Sequence, residues 1–77
     1  MATTLGAGKY IMGENIPEGK YDLKAISGGG TLQIGEEWMF FGVDKKYAKT
    51  YHGLSASFEV TGDVVFEIKK AMMIEVE

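Results

Sequence analysis

The chain has a single histidine, His52, and no cysteine in 77 residues. A nucleophilic triad on His52 would need a serine beside it, since no thiol is present. Ser55 and Ser57 follow closely and Ser27 lies further back, but none sits in a Gly-x-Ser-x-Gly turn. His52 is therefore expected as a surface or turn residue, and no catalytic residue is assigned. Carboxylates occur at Glu36, Glu37, Asp44, Asp63, Glu75 and Glu77, with no Asp-x-Asp-x-Asp-Gly calcium loop among them. A glycosidase pair needs two carboxylates flanking a sugar cleft, which a chain this short rarely shapes. Gly6-Ala7-Gly8-Lys9 superficially suggests a phosphate loop. Tyr10 stands where Ser or Thr is needed, and the pattern continues as a strand instead of a helix. No metal site and no cofactor are expected.

The residues with the strongest recognition chemistry are aromatic. Trp38, Phe40, Phe41, Tyr47 and Tyr51 place five of the nine aromatics within fourteen residues, interleaved with Lys45, Lys46 and Lys49. Such a cluster serves core packing, an interface between copies, or a ligand surface that stacks sugars or bases. In an extended strand Trp38 and Phe40 share one face, while Met39 and Phe41 share the other. A strand apolar on both faces is one covered on both sides. In so small a domain the second cover is expected to be a partner subunit.

Charge narrows the partners. Eight lysines, no arginine and eleven acidic residues leave a net charge of -3. A nucleic-acid binder needs a basic field and favours arginine, so nucleic acid is excluded as an expected partner. The longest apolar runs, such as Trp38 to Phe41, are far short of a membrane-spanning helix. Residues 1–8 lack the basic start and apolar core of a signal peptide, so the chain as written is expected in the cytoplasm. If it is cut from a longer secreted or lipoprotein chain, an extracytoplasmic location is expected instead.

The elements that must position these residues are strands. Val, Ile, Thr, Tyr, Phe and Trp make up 25 of 77 residues, with eleven glycines and one proline, a mixture that favours short strands between glycine turns. Period-2 alternation recurs, while helical spacing is never sustained over three turns. Tyr21, Leu23 and Ala25 alternate with Asp22 and Lys24. Val64, Phe66 and Ile68 alternate with Val65, Glu67 and Lys69. About seven strands are predicted, near 9–12, 20–26, 31–35, 38–42, 56–60, 64–68 and 72–77. Ile16-Pro17-Glu18-Gly19 suits a type I turn, and Ser27 to Gly30 and Thr61 to Asp63 read as hairpin turns. Residues 43–55 read as a loop or one helical turn capped by Asp44. The fold class is all-β, a small antiparallel β-sandwich or jelly-roll-like barrel. One domain spans 1–77, with 1–7 a flexible leader. Burial contributes roughly 110 kcal/mol against about 115 kcal/mol for ordering the chain. A homo-oligomer is therefore the expected way to gain stability.

Gly8-Lys9-Tyr10-Ile11-Met12-Gly13-Glu14-Asn15-Ile16-Pro17-Glu18-Gly19-Lys20-Tyr21 resembles a small all-β domain family of Gram-positive bacteria with the motif Gly-x-Tyr-x-Val-Gly-x-Asp-Ile-Pro-Ala-Gly-x-Tyr. Ser27 to Gly30, Tyr51-His52-Gly53-Leu54 and Gly62 to Ile68 look like later elements of that family, so the likeness spans about residues 8 to 77. Asn15 and Glu18 depart from the motif, which there favours Asp and Ala, and Gly53 stands in the later element where an Asn is common. The resemblance implies a fold, no particular activity, and an extracytoplasmic accessory or binding role. The function expected is thus a non-enzymatic binding or assembly module that self-associates. The alternative is a carbohydrate- or cell-envelope-binding domain using segment 38–51, and another protein is a further possible partner.

Overall fold

The computed structural model describes residues 2–71. The strand expected at 72–77 lies outside them. The described residues form eight strands: β1 (Thr3–Leu5), β2 (Gly8–Tyr10), β3 (Tyr21–Ser27), β4 (Gly29–Ile34), β5 (Glu37–Gly42), β6 (Thr50–Leu54), β7 (Phe58–Gly62) and β8 (Val65–Lys70). Every pairing between them is antiparallel. The order is β1-β8-β3-β6 in sheet A and β2-β7-β4-β5 in sheet B. Pairs β1–β8, β2–β7, β3–β6 and β4–β5 nest inside one another, as in one long hairpin rolled over two sheets. That is jelly-roll topology in an open sandwich, without a closed barrel.

Alternation sets the core. On β3, Tyr21, Leu23 and Ala25 are buried; on β7, Phe58 and Val60; on β8, Phe66 and Ile68, with Val64 just ahead of it. Leu32 from β4 and Phe41 from β5 meet them from sheet B. Phe66 lies at the centre. Its ring centroid is 5.9 Å from Phe41, 6.0 Å from Tyr10 and 6.2 Å from Phe58, each in edge-on geometry.

Four expectations need correction. Residues 3–5 are no flexible leader: β1 pairs with β8 in register Thr3↔Ile68 to Leu5↔Phe66, and Leu5 packs against the core. Second, β6 occupies part of the predicted loop, and no helical turn forms at 44–49. Tyr51-His52-Gly53 carries no alternation, and Gly53 has φ of 77°, so β6 owes its extended form to pairing with β3. Third, Ser27 to Gly30 is not a hairpin turn, because β3 and β4 belong to different sheets. Fourth, Thr61 to Asp63 likewise carries the chain from sheet B to sheet A.

The two glycine corners interlock. Gly28 has φ of 72°, and the Asp63 amide donates to the Gly29 carbonyl at 3.2 Å. Asp63 Oδ1 accepts from the Gly29 amide at 3.0 Å. A Cβ on Gly30 would fall inside the Thr61 carbonyl. The run of glycines therefore serves close backbone approach between two crossings.

Candidate binding surface

The outer faces of the two sheets differ sharply. On sheet A, Asp22 stands opposite Lys69 and Lys24 opposite Glu67, an alternating charge lattice that water solvates. On sheet B, β5 turns Met39 and Phe41 towards the core and leaves Trp38 and Phe40 outward, 60% and 51% exposed. The Trp38 and Phe40 rings meet edge-on at 5.2 Å, and Phe40 stacks on Tyr47 at 5.7 Å. Lys46 Nζ lies 5.4 Å from the Tyr47 ring centroid. Exposed Trp38 and Phe40 and half-buried Tyr47 thus form one aromatic stripe on the surface.

Tyr47 holds its place because two glycines make room. Gly29 and Gly42 are paired neighbours in β4 and β5, and the Tyr47 ring occupies the space their side chains would fill. A Cβ on Gly42 would come 2.5 Å from Tyr47 Cδ2. Segment 44–48 reaches that position through a tight turn, in which the Tyr47 amide donates to the Asp44 carbonyl at 2.9 Å. The periodicity of the sequence placed Trp38 and Phe40 correctly. It could not show that Gly29 and Gly42 form the floor under Tyr47, although small residues paired across two strands are the signal for such a seat.

Two of the five aromatic candidates lie elsewhere. Phe41 is fully buried and belongs to the core, so it contributes no surface in the folded chain. Tyr51 sits on β6 in the other sheet, opposite Leu23, and packs against the core from sheet A. Trp38, Phe40 and Tyr47 remain as the surface group.

Beside Trp38 the outer face of sheet B turns polar. Register places Gln33 next to Trp38, Glu59 next to Gln33, and Lys9 next to Glu59. Lys9, Gln33 and Glu59, with Ile11, Gly35, Ser57 and Phe58, line an open groove of about 430 Å³. Two residues along the same face, the Thr31 and Thr61 hydroxyls hydrogen-bond to each other. Only the Gln33 amide adjoins the exposed indole; the Glu59 carboxylate and Lys9 ammonium continue the row on the next two strands.

Among the described residues, no serine hydroxyl hydrogen-bonds to His52. Ser57 Oγ accepts from the Met12 amide at 2.8 Å, a structural bond in the β2–β3 connection. His52 is 74% exposed, and its Nδ1 lies 3.4 Å from Asp22 Oδ1. The same carboxylate oxygen accepts from the Gly53 amide at 3.1 Å, which ties Asp22 to the backbone of β6. Among the described residues, no group of three or more His, Asp or Glu side chains converges on a metal-sized site. His52→Ala is accordingly expected to change stability by no more than about 0.5 kcal/mol, as for a typical surface substitution. Urea unfolding of the two proteins side by side measures this. A loss several times larger would mean that His52 holds β6 in place.

No family model matches the chain, and no curated protein or solved structure matches it either.

Proposed function

We propose that the chain is a non-enzymatic binding and assembly module that associates with itself through the aromatic side of sheet B. One observation carries this reading: Trp38 and Phe40, two large apolar side chains in contact, both stand more than half exposed on one sheet face. Soluble monomers rarely leave a contiguous aromatic surface uncovered, and such a patch marks a contact site. Association also supplies the burial that a domain of this size lacks alone. The resemblance over residues 8–77 implies an accessory or binding role, which agrees with this reading.

Trp38→Lys puts a charge on the most exposed ring of the stripe and tests the reading. The expected product is a folded monomer whose thermal midpoint no longer depends on protein concentration, whereas the wild-type midpoint rises with concentration. If both proteins show the same concentration-independent midpoint, the stripe is not a self-contact.

A second reading is favoured by the polar row beside Trp38. A row running from an exposed indole through Gln33 to Glu59 and Lys9 suits a chain of sugars, whose C–H face stacks on the ring while hydroxyls along the row take hydrogen bonds. A carbohydrate or cell-envelope polymer is the ligand class this implies. A glycan array followed by titration of Trp38 fluorescence tests it, and Gln33→Ala should weaken any binding found.

A further inference from the structure

The sandwich has four edge strands, and three of them are poor templates for another chain. β1 and β2 are each three residues long. β6 is irregular, with a register shift against β3 between Tyr21 and Leu23 and a positive-φ Gly53 at φ 77°. Short and bulged edges are how sheets avoid unwanted pairing. β5 shows none of these protections. It has six residues, an unbroken register with β4 from Glu37 to Gly42, and no lysine or proline.

The free side of β5 can be read atom by atom. Ile34 and Glu37 close a two-residue turn whose first residue, Gly35, has φ of 62°, as a type II′ hairpin requires. The closing pair of such a hairpin is hydrogen-bonded, so Glu37, Met39 and Phe41 direct their backbone groups to β4. Trp38, Phe40 and Gly42 direct theirs to the free side. The bonds to segment 44–48 agree: the Ala48 amide donates to the Phe40 carbonyl and the Gly42 amide to the Ala48 carbonyl, both at 3.0 Å. Ala48 thus covers one end of the edge. Among the described residues, none takes the Trp38 amide, the Trp38 carbonyl or the Phe40 amide.

Charge is divided between the two ends of this opening. Exposed Glu36 and Glu37 stand at the turn end. Exposed Lys45 and Lys46 stand at the end covered by Ala48. A second copy laid antiparallel about a two-fold axis through Trp38 matches every one of these features. Each Trp38 amide donates to the partner's Trp38 carbonyl, and the Phe40 amide meets the partner's Glu36 carbonyl. The partner's Glu36 and Glu37 arrive beside Lys45 and Lys46. The partner's chain then turns away at Gly35, where Ala48 already fills the edge. The surface is self-complementary, as an isologous contact demands.

We propose that two copies join edge to edge through β5, making one continuous eight-stranded sheet from the two copies of sheet B. This deepens the self-association reading and rests on it. The two Trp38 side chains then become a directly opposed, hydrogen-bonded cross-strand pair on the outer face, with Cα atoms about 5.5 Å apart.

The test uses two charge variants, Glu36→Lys/Glu37→Lys and Lys45→Glu/Lys46→Glu. All four side chains are exposed, so circular dichroism should show both variants folded. Each alone sets like charges against like and should raise the dissociation constant by about tenfold or more in sedimentation equilibrium. An equimolar mixture restores opposite charges at both ends and should associate within about threefold of wild type. Amide exchange supplies the second readout: in the associated wild type, the Trp38 and Phe40 amides should exchange about tenfold more slowly than in the monomer. If wild type associates but the mixture does not recover and these amides keep their monomer rates, the copies meet face to face and the edge contact is wrong. A wild type that stays monomeric overturns the self-association reading and the edge contact together.

Discussion

Replacing Phe66 by alanine is expected to unfold the domain. Its side chain is fully buried, with the rings of Tyr10, Phe41 and Phe58 all within 6.2 Å of its own centroid. Removing it loses the transfer free energy of a phenyl ring and opens a cavity between the sheets, about 3–5 kcal/mol together. A core of this size rarely supplies more than about 3–5 kcal/mol of net stability. The loss therefore equals or exceeds what is available. Far-UV circular dichroism of Phe66→Ala should show no cooperative urea transition at 25 °C. Phe40 is the control of the same residue type: Phe40→Ala removes an exposed ring and should leave a cooperative transition in place. A stable, cooperative Phe66→Ala would mean that the sandwich is not centred on this cluster.

The second large effect is expected at Gly30. An alanine Cβ there would overlap the Thr61 carbonyl, a backbone atom that no side-chain rotation can move. Relief requires the two crossings between sheets to separate, which strains the bonds joining Gly29 and Asp63. Gly30→Ala should cost about 3 kcal/mol or more, at the upper end of what overpacking does. Gly6 provides the contrast, since a Cβ built there meets no atom within 4 Å. Gly6→Ala should stay within about 1 kcal/mol of wild type. Equal effects at the two glycines would contradict the interlocked corners.

These two sites also mark where the sequence was readable. Phe66 stands out because Val64, Phe66 and Ile68 alternate with Val65, Glu67 and Lys69, and period 2 in a half-buried strand reports directly on which face is inward. The same signal separated Trp38 and Phe40 from Met39 and Phe41 on β5. Alternation is a local property, so it survives without knowledge of the neighbours. Sheet membership does not have that character. A glycine-rich link between two alternating runs has the same composition whether it closes a hairpin or crosses between sheets, so Ser27 to Gly30 and Thr61 to Asp63 were read as turns. β1 and β6 were missed because Thr3-Thr4-Leu5 is too short to display a period and Tyr51-His52-Gly53 breaks one. Both are extended because a partner strand holds them. Of the aromatic cluster, residue type announced an exceptional segment. Only the fold could divide it into a core member, Phe41, an inward-packed Tyr51 in the opposite sheet, and a surface stripe of Trp38, Phe40 and Tyr47.

An asymmetry between two outer faces underlies the proposed function. Sheet A presents alternating charges that water solvates, while sheet B presents unpartnered aromatic rings beside an open strand edge. A domain short of burial has a physical reason to associate with a copy of itself on that side. Sedimentation velocity of the wild type over a wide concentration range, with Trp38 emission recorded on the same samples, tests this most directly. The expected result is a shift from monomer to a closed dimer as concentration rises, with Trp38 emission moving to shorter wavelength in step. A single monomeric species at every concentration, with Trp38 emission unchanged throughout, would contradict it.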